Sequence, residues 1–125
     1  MNVLVWAGVV VIGGAGSLLR FYADGLVSTV AGRDFPLGTM VINVSGAVVL
    51  GLLSGLALSS SQSLLFGTAA VGSYTTFSTW MLETQRLTEE RQYRKGALNI
   101  VVSLALGIAA AALGRLIGID RKSVV

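Results

Sequence analysis

The sequence predicts an all-α membrane protein with four membrane-spanning helices. Hydrophobic residues make up 54% of the 125 residues, charged residues only 12%, and the mean hydropathy is +0.79. This composition lies outside the range of soluble globular domains. Because a helix crosses the bilayer with about 20 apolar residues, the uncharged runs and the polar clusters between them predict one domain, 1–125, with spans at approximately 3–30, 37–58, 64–82 and 96–114.

The first span contains two opposite charges, Arg20 and Asp24. Their i,i+4 spacing favours an ion pair that stabilises this end of the helix, although Arg20 can also be a vestibule charge that attracts anions. Arg33 and Asp34 mark the first loop. Pro36 follows where the first turn of a helix tolerates proline, so the second span starts there.

The uncharged run 35–82 is too long for one crossing, so the chain has to turn back within it. The polar cluster 59–63 is the only candidate for that turn and divides the run into the second and third spans. Residues 83–95 hold seven charges and are expected to form a water-exposed helix end and loop. Arg115 and a basic tail, Arg121 and Lys122, close the fourth span.

Basic residues are distributed too evenly to fix an orientation. The two loops on one side carry five Lys or Arg residues, and the terminal side carries three. Insertion in both orientations and insertion in a single orientation are both compatible with that bias. The net charge of +3 is interpreted as membrane-face anchoring, with membrane lipid and not nucleic acid as the partner, and no cleavable signal peptide is expected.

The residue inventory excludes several kinds of chemistry. The chain has no cysteine and no histidine, so disulfides, thiolate chemistry, imidazole metal sites and histidine acid–base catalysis are excluded. No carboxylate lies in the middle of an apolar run, where a proton relay would need one. An enzyme is therefore not expected. A small dual-topology proton-coupled efflux transporter is the alternative to a passive pathway.

Sixteen glycines in a helical membrane protein need an explanation. Glycine lets membrane helices approach closely, so helix packing is the simplest role for each one. Four thin helices enclose little space, which predicts oligomerisation with glycine faces at the interface. The candidate close-contact positions are Gly13, Gly14, Gly16, Gly38, Gly46, Gly51, Gly55 and Gly107.

Two polar positions lie in otherwise apolar spans. Asn43 lies about two turns into the second span, with Thr39 one turn earlier, and serves either as an interhelical hydrogen bond or as a donor beside an aqueous route. Asn99 and Ser103 share one face of the fourth span, which Gly107 continues without a side chain. Neutral donors suit a small, strongly hydrated anion, but the same stripe is also typical of helix packing.

Residues 72–80 combine hydroxyl groups with aromatic rings in an uncharged part of the chain. Glycine followed by hydroxyl and β-branched residues forms helix poorly, which predicts a break in the third span. Broken membrane helices expose backbone carbonyls that can coordinate a cation such as Na⁺. Hydroxyl groups donate and accept hydrogen bonds, and aromatic rings offer a positive edge.

Three motifs together resemble the Fluc/CrcB family of fluoride channels over nearly the whole chain. The block of threonine, phenylalanine, serine and threonine is the most specific part of this resemblance. The matching residues are Gly13, Gly14, Ala15, Gly16 and Arg20, then Gly38, Thr39, Asn43 and Gly46, then Gly72, Thr75, Thr76, Phe77, Ser78 and Thr79, followed by Glu83.

The resemblance implies a passive, fluoride-selective channel that exports F⁻ across the bacterial plasma membrane. It implies an antiparallel dual-topology dimer, either a homodimer or a heterodimer with a paralogous subunit. It also implies a structural Na⁺ at the dimer interface, held by the backbone carbonyls of Gly72 and Thr75, with Arg20 and Glu83 in structural roles. The implied pore residues are Asn43, Thr76, Phe77, Thr79, Trp80, Asn99 and Ser103.

Trp80 departs from the family pattern, because many members have a second phenylalanine at this position. Tryptophan keeps an aromatic edge and adds an indole N–H donor. The anion contact therefore either survives in this chain or changes in character.

Overall fold

The computed structural model describes residues 3–32 and 34–124, and these residues are helical apart from short connections, with no β-strand among them. The predicted all-α class is confirmed. The expected position of Arg33 in the first loop lies outside the described residues. The elements are α1 (Val3–Ala31), α2 (Leu37–Leu56), α3 (Ser60–Gln62), a π-helix (Ser63–Val71), α4 (Gly72–Tyr74), α5 (Ser78–Glu89) and α6 (Tyr93–Val124).

Three helices in the described part of the chain are long and apolar enough to cross a membrane, namely α1, α2 and the stretch Tyr93–Lys122 of α6. The chain is therefore a multi-pass membrane protein. The stretch 64–82 is not among these helices, because it is divided between the π-helix, α4 and α5. The count of four spans stays a prediction.

The helix ends have local causes in the sequence. Pro36 directly precedes α2, where its missing N–H breaks no helical hydrogen bond. At the other end of α2, Ala57 adopts a left-handed backbone conformation with φ of 53°. Ser59 then caps α3. Its hydroxyl accepts from the Gln62 N–H, and the Gln62 side chain accepts from the Ser59 N–H, both at 3.2 Å.

The most extensive helix pair is α2 with α6. We call the contact between these two helices the seam. Along it, glycines on each helix face the backbone of the other. A Cβ atom on Gly51 would collide with Ala111, and one on Gly55 with Arg115. From the other side, a Cβ atom on Gly114 would collide with the backbone of Val48. The two helices therefore pack backbone against backbone, as small residues spaced by four allow.

α1 packs against the π-helix and α4. Gly16 makes this approach possible, because a Cβ atom there would collide with Ser73 and Ala70. Gly46 has the same function between α2 and Thr75. By contrast, a Cβ atom added to Gly14 or Gly107 would meet no neighbouring atom within 4 Å among the described residues. These two glycines therefore make no close contact with the described residues of the same chain, and a contact at an oligomer interface stays a prediction.

Candidate functional site

The segment Thr75–Phe77 is not helical and separates α4 from α5. Thr75 leaves the helical region with φ of −80° and ψ of 164°. In a continuous helix the Thr76 N–H would bond to the Gly72 carbonyl, four residues back. Here it bonds to the Asn43 side chain at 2.8 Å. The helix therefore ends where a side chain from α2 takes over its hydrogen bond.

Asn43 makes two hydrogen bonds to the same residue of this segment. Its Oδ1 accepts from the Thr76 N–H, and its Nδ2 donates to the Thr76 carbonyl, both at 2.8 Å. A carboxamide matches a peptide group in this arrangement, so it replaces the bonds that the interrupted helix has lost. Asn43 thus joins α2 to the segment, as the interhelical hydrogen-bond interpretation predicts. Its second Nδ2 hydrogen is a further donor.

The backbone carbonyls of Gly72 and Thr75 are among those that lose their usual donors at the interruption. The Thr76 N–H, the usual donor to the Gly72 carbonyl, bonds to Asn43. The Thr79 N–H, the usual donor to the Thr75 carbonyl, bonds to Thr76 Oγ1 at 3.1 Å. Hard cations prefer oxygen ligands of this kind. Gly72 and Thr75 are the two positions expected to offer carbonyls to Na⁺, so their backbone chemistry fits such an ion.

Phe77 and Trp80 form an aromatic pair beside this segment. Their ring centroids lie 5.8 Å apart with an interplanar angle of 83°, an edge-to-face arrangement. Phe77 is 70% exposed, as are many large apolar side chains of this chain, so its ring is accessible from outside the chain. The Trp80 indole N–H donates to the backbone carbonyl of Asn99 on α6 at 3.1 Å.

Asn99 and Ser103 lie on one face of α6, as the spacing predicts, and both are buried, with 0% and 8% exposure. Asn99 Nδ2 donates to Thr84 Oγ1 on α5 at 2.8 Å. Among the described atoms, Asn99 Oδ1 and Ser103 Oγ have no hydrogen-bond partner. This face of α6 therefore points into the chain and holds buried polar capacity that its neighbours do not use.

A groove of about 750 Å³ brings most of the predicted site residues together. It runs between α2 and the stretch from the π-helix to α5, and none of the described residues that line it is charged. Neutral donors and ring edges can contact a desolvated anion without trapping it on a fixed charge. The predicted residues in its lining are Asn43, Gly72, Thr75, Thr76, Phe77 and Trp80.

A second cavity of about 470 Å³ lies on the other side of Thr76. Arg20, Asp24, Thr39 and Thr79 line it together with Thr76, which also lines the groove. Thr76 therefore separates an uncharged space from a space with one basic and one acidic side chain. Asn99 and Ser103 line neither of these cavities.

The expectation of an i,i+4 ion pair between Arg20 and Asp24 is wrong. The ion pair found among the described residues joins Arg86 and Glu90 at 2.9 Å. Asp24 instead lies against Gly38, where a Cβ atom would collide with its carboxylate. Spacing permits an ion pair, but close helix packing decides where the side chain goes.

Glu83, expected in a water-exposed helix end, is half-buried and accepts a hydrogen bond from Thr39 on α2. That expectation is therefore wrong for Glu83. Thr84 is not among the candidates that sequence reasoning identifies. It lies one turn after Trp80 on α5, so helical spacing could have placed it beside the tryptophan. Its contact with Asn99 depends on how α5 packs against α6, which spacing does not give.

These observations define a small, all-helical, multi-pass membrane protein whose polar groups gather at a helix interruption. A protein-family model described as CrcB-like protein, Camphor Resistance (CrcB), matches residues 7–115, and the chain belongs to this family.

Three relatives carry names of the same kind. The chain is 65% identical over 114 residues to "Fluoride-specific ion channel FluC 2" of Mycolicibacterium paratuberculosis, covering 91% of this chain and 93% of the relative. It is 56% identical over 115 residues to the FluC 2 protein of Mycobacterium bovis, covering 92% and 91%. It is 42% identical over 122 residues to "Fluoride-specific ion channel FluC 1" of Leifsonia xyli, covering 94% and 89%.

Proposed function

We propose that this protein is a fluoride-selective passive channel that exports F⁻ from the bacterial cytoplasm and relieves fluoride toxicity. The names of its relatives support this function over more than nine-tenths of the chain. The structural observation that carries it is the groove in which Asn43, Thr76, Phe77 and Trp80 meet, with no charged side chain among its described lining residues.

The chemistry of this groove suits a small anion. Fluoride holds its water strongly, so a pathway has to replace that water with donors and partial positive charges. Hydroxyl and carboxamide hydrogens are neutral donors, and the edges of aromatic rings are weakly positive. A fixed cation would hold the ion too tightly for rapid passage, because conduction requires release as well as binding.

A proton-coupled efflux transporter is less well supported. Such a transporter needs a titratable carboxylate on its route. In the described part of the chain, the carboxylates Asp24 and Glu83 line cavities other than the groove. The passive pathway is therefore the better proposal.

For the assembly we propose four membrane crossings and an antiparallel dual-topology dimer. The stretch from the π-helix through α5 forms the third crossing, with its interruption inside the membrane. The open groove and the largely exposed α1, of whose candidate span 6% is buried, are faces that a second copy and lipid can cover. The second subunit is either an identical chain or a paralogue.

The proposal includes one structural Na⁺ between the two subunits. The carbonyls of Gly72 and Thr75, whose helical donors are diverted, supply two oxygen ligands from each chain. Such an ion would add positive charge near the interruption and tie the two segments together. In this role Na⁺ is structural, and exchanging it for another cation is expected to lower fluoride flux.

The test is fluoride efflux from liposomes that contain the purified protein. A fluoride electrode records efflux when a K⁺ gradient and valinomycin supply the counter-current. We expect rapid fluoride efflux and little chloride efflux. Failure to move fluoride, both alone and with a co-expressed paralogue, would overturn the channel function.

A further inference from the structure

Trp80 is the only member of the aromatic pair that has a side-chain N–H group, and the structure gives this group a partner within the chain. We propose that Asn99 is a positioning residue that orients Trp80, so that the ring presents its C–H edge, and not its N–H group, to the transported anion. This inference rests on the proposed function for the identity of the anion. The hydrogen-bond arrangement itself does not.

The direction of each hydrogen bond follows from counting hydrogens. Thr84 has one hydroxyl hydrogen, and it donates that hydrogen to the backbone carbonyl of Trp80 at 2.9 Å. Towards Asn99, the Thr84 hydroxyl oxygen is therefore an acceptor. The Asn99 group facing it at 2.8 Å has to be the Nδ2 amine, which turns Oδ1 away from Thr84. The orientation of the carboxamide is thus determined by its neighbours.

These bonds close a ring between α5 and α6. The Asn99 side chain donates to Thr84, Thr84 donates to the Trp80 carbonyl, and the Trp80 indole donates to the Asn99 carbonyl. Asn99 is 0% exposed, so water does not compete for its bonds. Hydrogen bonds in such a desolvated network support one another. Trp80 is therefore held at both its backbone and its indole nitrogen.

The indole has a single N–H and no other donor. That hydrogen is bonded to the backbone carbonyl of Asn99. The one donor that tryptophan has and phenylalanine lacks is therefore already paired within the chain. What the ring offers to the groove is its C–H edge, beside the Phe77 ring at 5.8 Å. Trp80 then acts on an anion as a second phenylalanine would, with its orientation set by α6.

Asn99 acts through Trp80 and not by contact with the anion. It lines none of the three described cavities. Its unpartnered atom among the described residues, Oδ1, is a hydrogen-bond acceptor that would repel an anion. The position of Asn99 on the same face as Ser103 is therefore explained by helix packing against α5.

The decisive experiment follows the indole proton by NMR in a Trp6→Phe protein, in which Trp80 is the only tryptophan. Trp6 lies on α1 and is 54% exposed, so phenylalanine can replace it without a cavity. The Trp80 N–H resonance is expected to exchange slowly with solvent and to keep its position when fluoride replaces chloride. A saturable downfield shift with fluoride would show that the N–H binds the anion and would overturn the proposal.

A matched pair of variants separates positioning from general destabilisation. Thr84→Val removes the hydroxyl that links Trp80 to Asn99, whereas Thr88→Val removes the same kind of bond one turn later, from Thr88 to the Thr84 carbonyl. Thr84→Val should speed indole N–H exchange roughly two- to tenfold, the range for one hydrogen bond. It should also lower fluoride flux, and Thr84→Ser should restore both. Equal exchange rates in Thr84→Val and Thr88→Val would contradict the proposal.

In a Trp80→Phe protein, where no indole remains to be oriented, Thr84→Val should lower flux no further. An additional loss of flux there would mean that Thr84 acts by another route and would contradict the proposal. Because exchange is measured without transport, a protein that moves no fluoride but protects the indole proton would sink the channel function and leave the orientation of Trp80 intact.

Discussion

The seam between α2 and α6 and the interrupted segment between α4 and α5 are held by opposite means. The seam uses Gly51, Gly55 and Gly114, where backbones touch and side chains are absent. The segment uses side-chain hydrogen bonds to its backbone, above all the two bonds from Asn43 to Thr76. In the seam, glycines without side chains let the two backbones touch. In the segment, a polar side chain bonds to the backbone.

This difference indicates that the seam is the structural scaffold and that the interrupted segment is part of the ion pathway. Backbone packing through glycine tolerates no added atoms and has one arrangement, so it suits a scaffold. A non-helical segment in a membrane has to satisfy its backbone groups from neighbouring helices, and any groups left over are available to an ion. The comparison predicts that substitutions in the seam lower stability, whereas substitutions at the segment lower transport.

The largest effect is expected at the seam. Gly114→Ala places a Cβ atom against the Val48 carbonyl and the Leu52 nitrogen, which are backbone atoms that cannot move aside. Overpacking of this kind destabilises by about 1–3 kcal/mol, and we expect a lower melting temperature and less protein recovered as a single species by gel filtration.

The matched control on the same helix is Gly107→Ala, where nothing lies within 4 Å in the described chain. It should leave stability unchanged or raise it slightly, because alanine favours helix over glycine by about 1 kcal/mol. Equal losses in both variants would remove the distinction between the seam and the rest of α6.

The next effect is expected at Asn43. Asn43→Leu keeps the approximate size of the side chain but leaves the Thr76 N–H and carbonyl without their partners. Each group would cost about 1–3 kcal/mol if it stayed unpaired, so the segment should rearrange to pair both groups again. The loss of stability is then smaller than at the seam, but fluoride flux should fall at least about tenfold. Liposome efflux and gel filtration measure the two properties.

The fluoride flux of Asn43→Asp should lie between those of wild type and Asn43→Leu. The aspartate can still accept from the Thr76 N–H but can no longer donate to the Thr76 carbonyl. Ser45→Ala, on the same helix but outside the lining of the groove, is the control for a lost polar side chain on α2. Normal fluoride flux in Asn43→Leu would show that transport does not depend on the two hydrogen bonds between Asn43 and Thr76.

The smallest effect is expected at the cap of α3. Ser59→Ala removes the hydroxyl that accepts from Gln62 and should destabilise by about 1 kcal/mol without changing ion selectivity. Thermal unfolding and the fluoride-to-chloride flux ratio check this. A changed ratio would mean that the connection after α2 affects the pathway as well as stability.

The sequence is sufficient to predict the class of protein and the position of α1. Both depend on the composition and length of one apolar run, and neither depends on contacts between distant residues. It identifies Asn43 as a residue that needs a partner, but the partner, Thr76, lies 33 residues away and depends on tertiary packing. The number of crossings and the dimer stay predictions.

The glycines show the same limit. The sequence places Gly114 at the end of the fourth span because Arg115 follows it, yet α6 continues to Val124 and Arg115 is exposed on its surface. Gly114 therefore packs against α2 in the interior of a longer helix, and the bounds 96–114 of the membrane span stay a prediction. An arginine after a glycine is compatible with the end of a helix. It is equally compatible with a helix that continues out of the membrane into water.

The most direct measurement is fluoride efflux by Phe77→Ile protein in liposomes, alongside wild type. Isoleucine retains a large apolar side chain at an exposed position but has no ring edge. If the aromatic pair beside the interruption contacts the anion, efflux is abolished while the protein elutes and melts as wild type does. Normal efflux from Phe77→Ile would remove the aromatic pair from the pathway and contradict the division between scaffold and pathway.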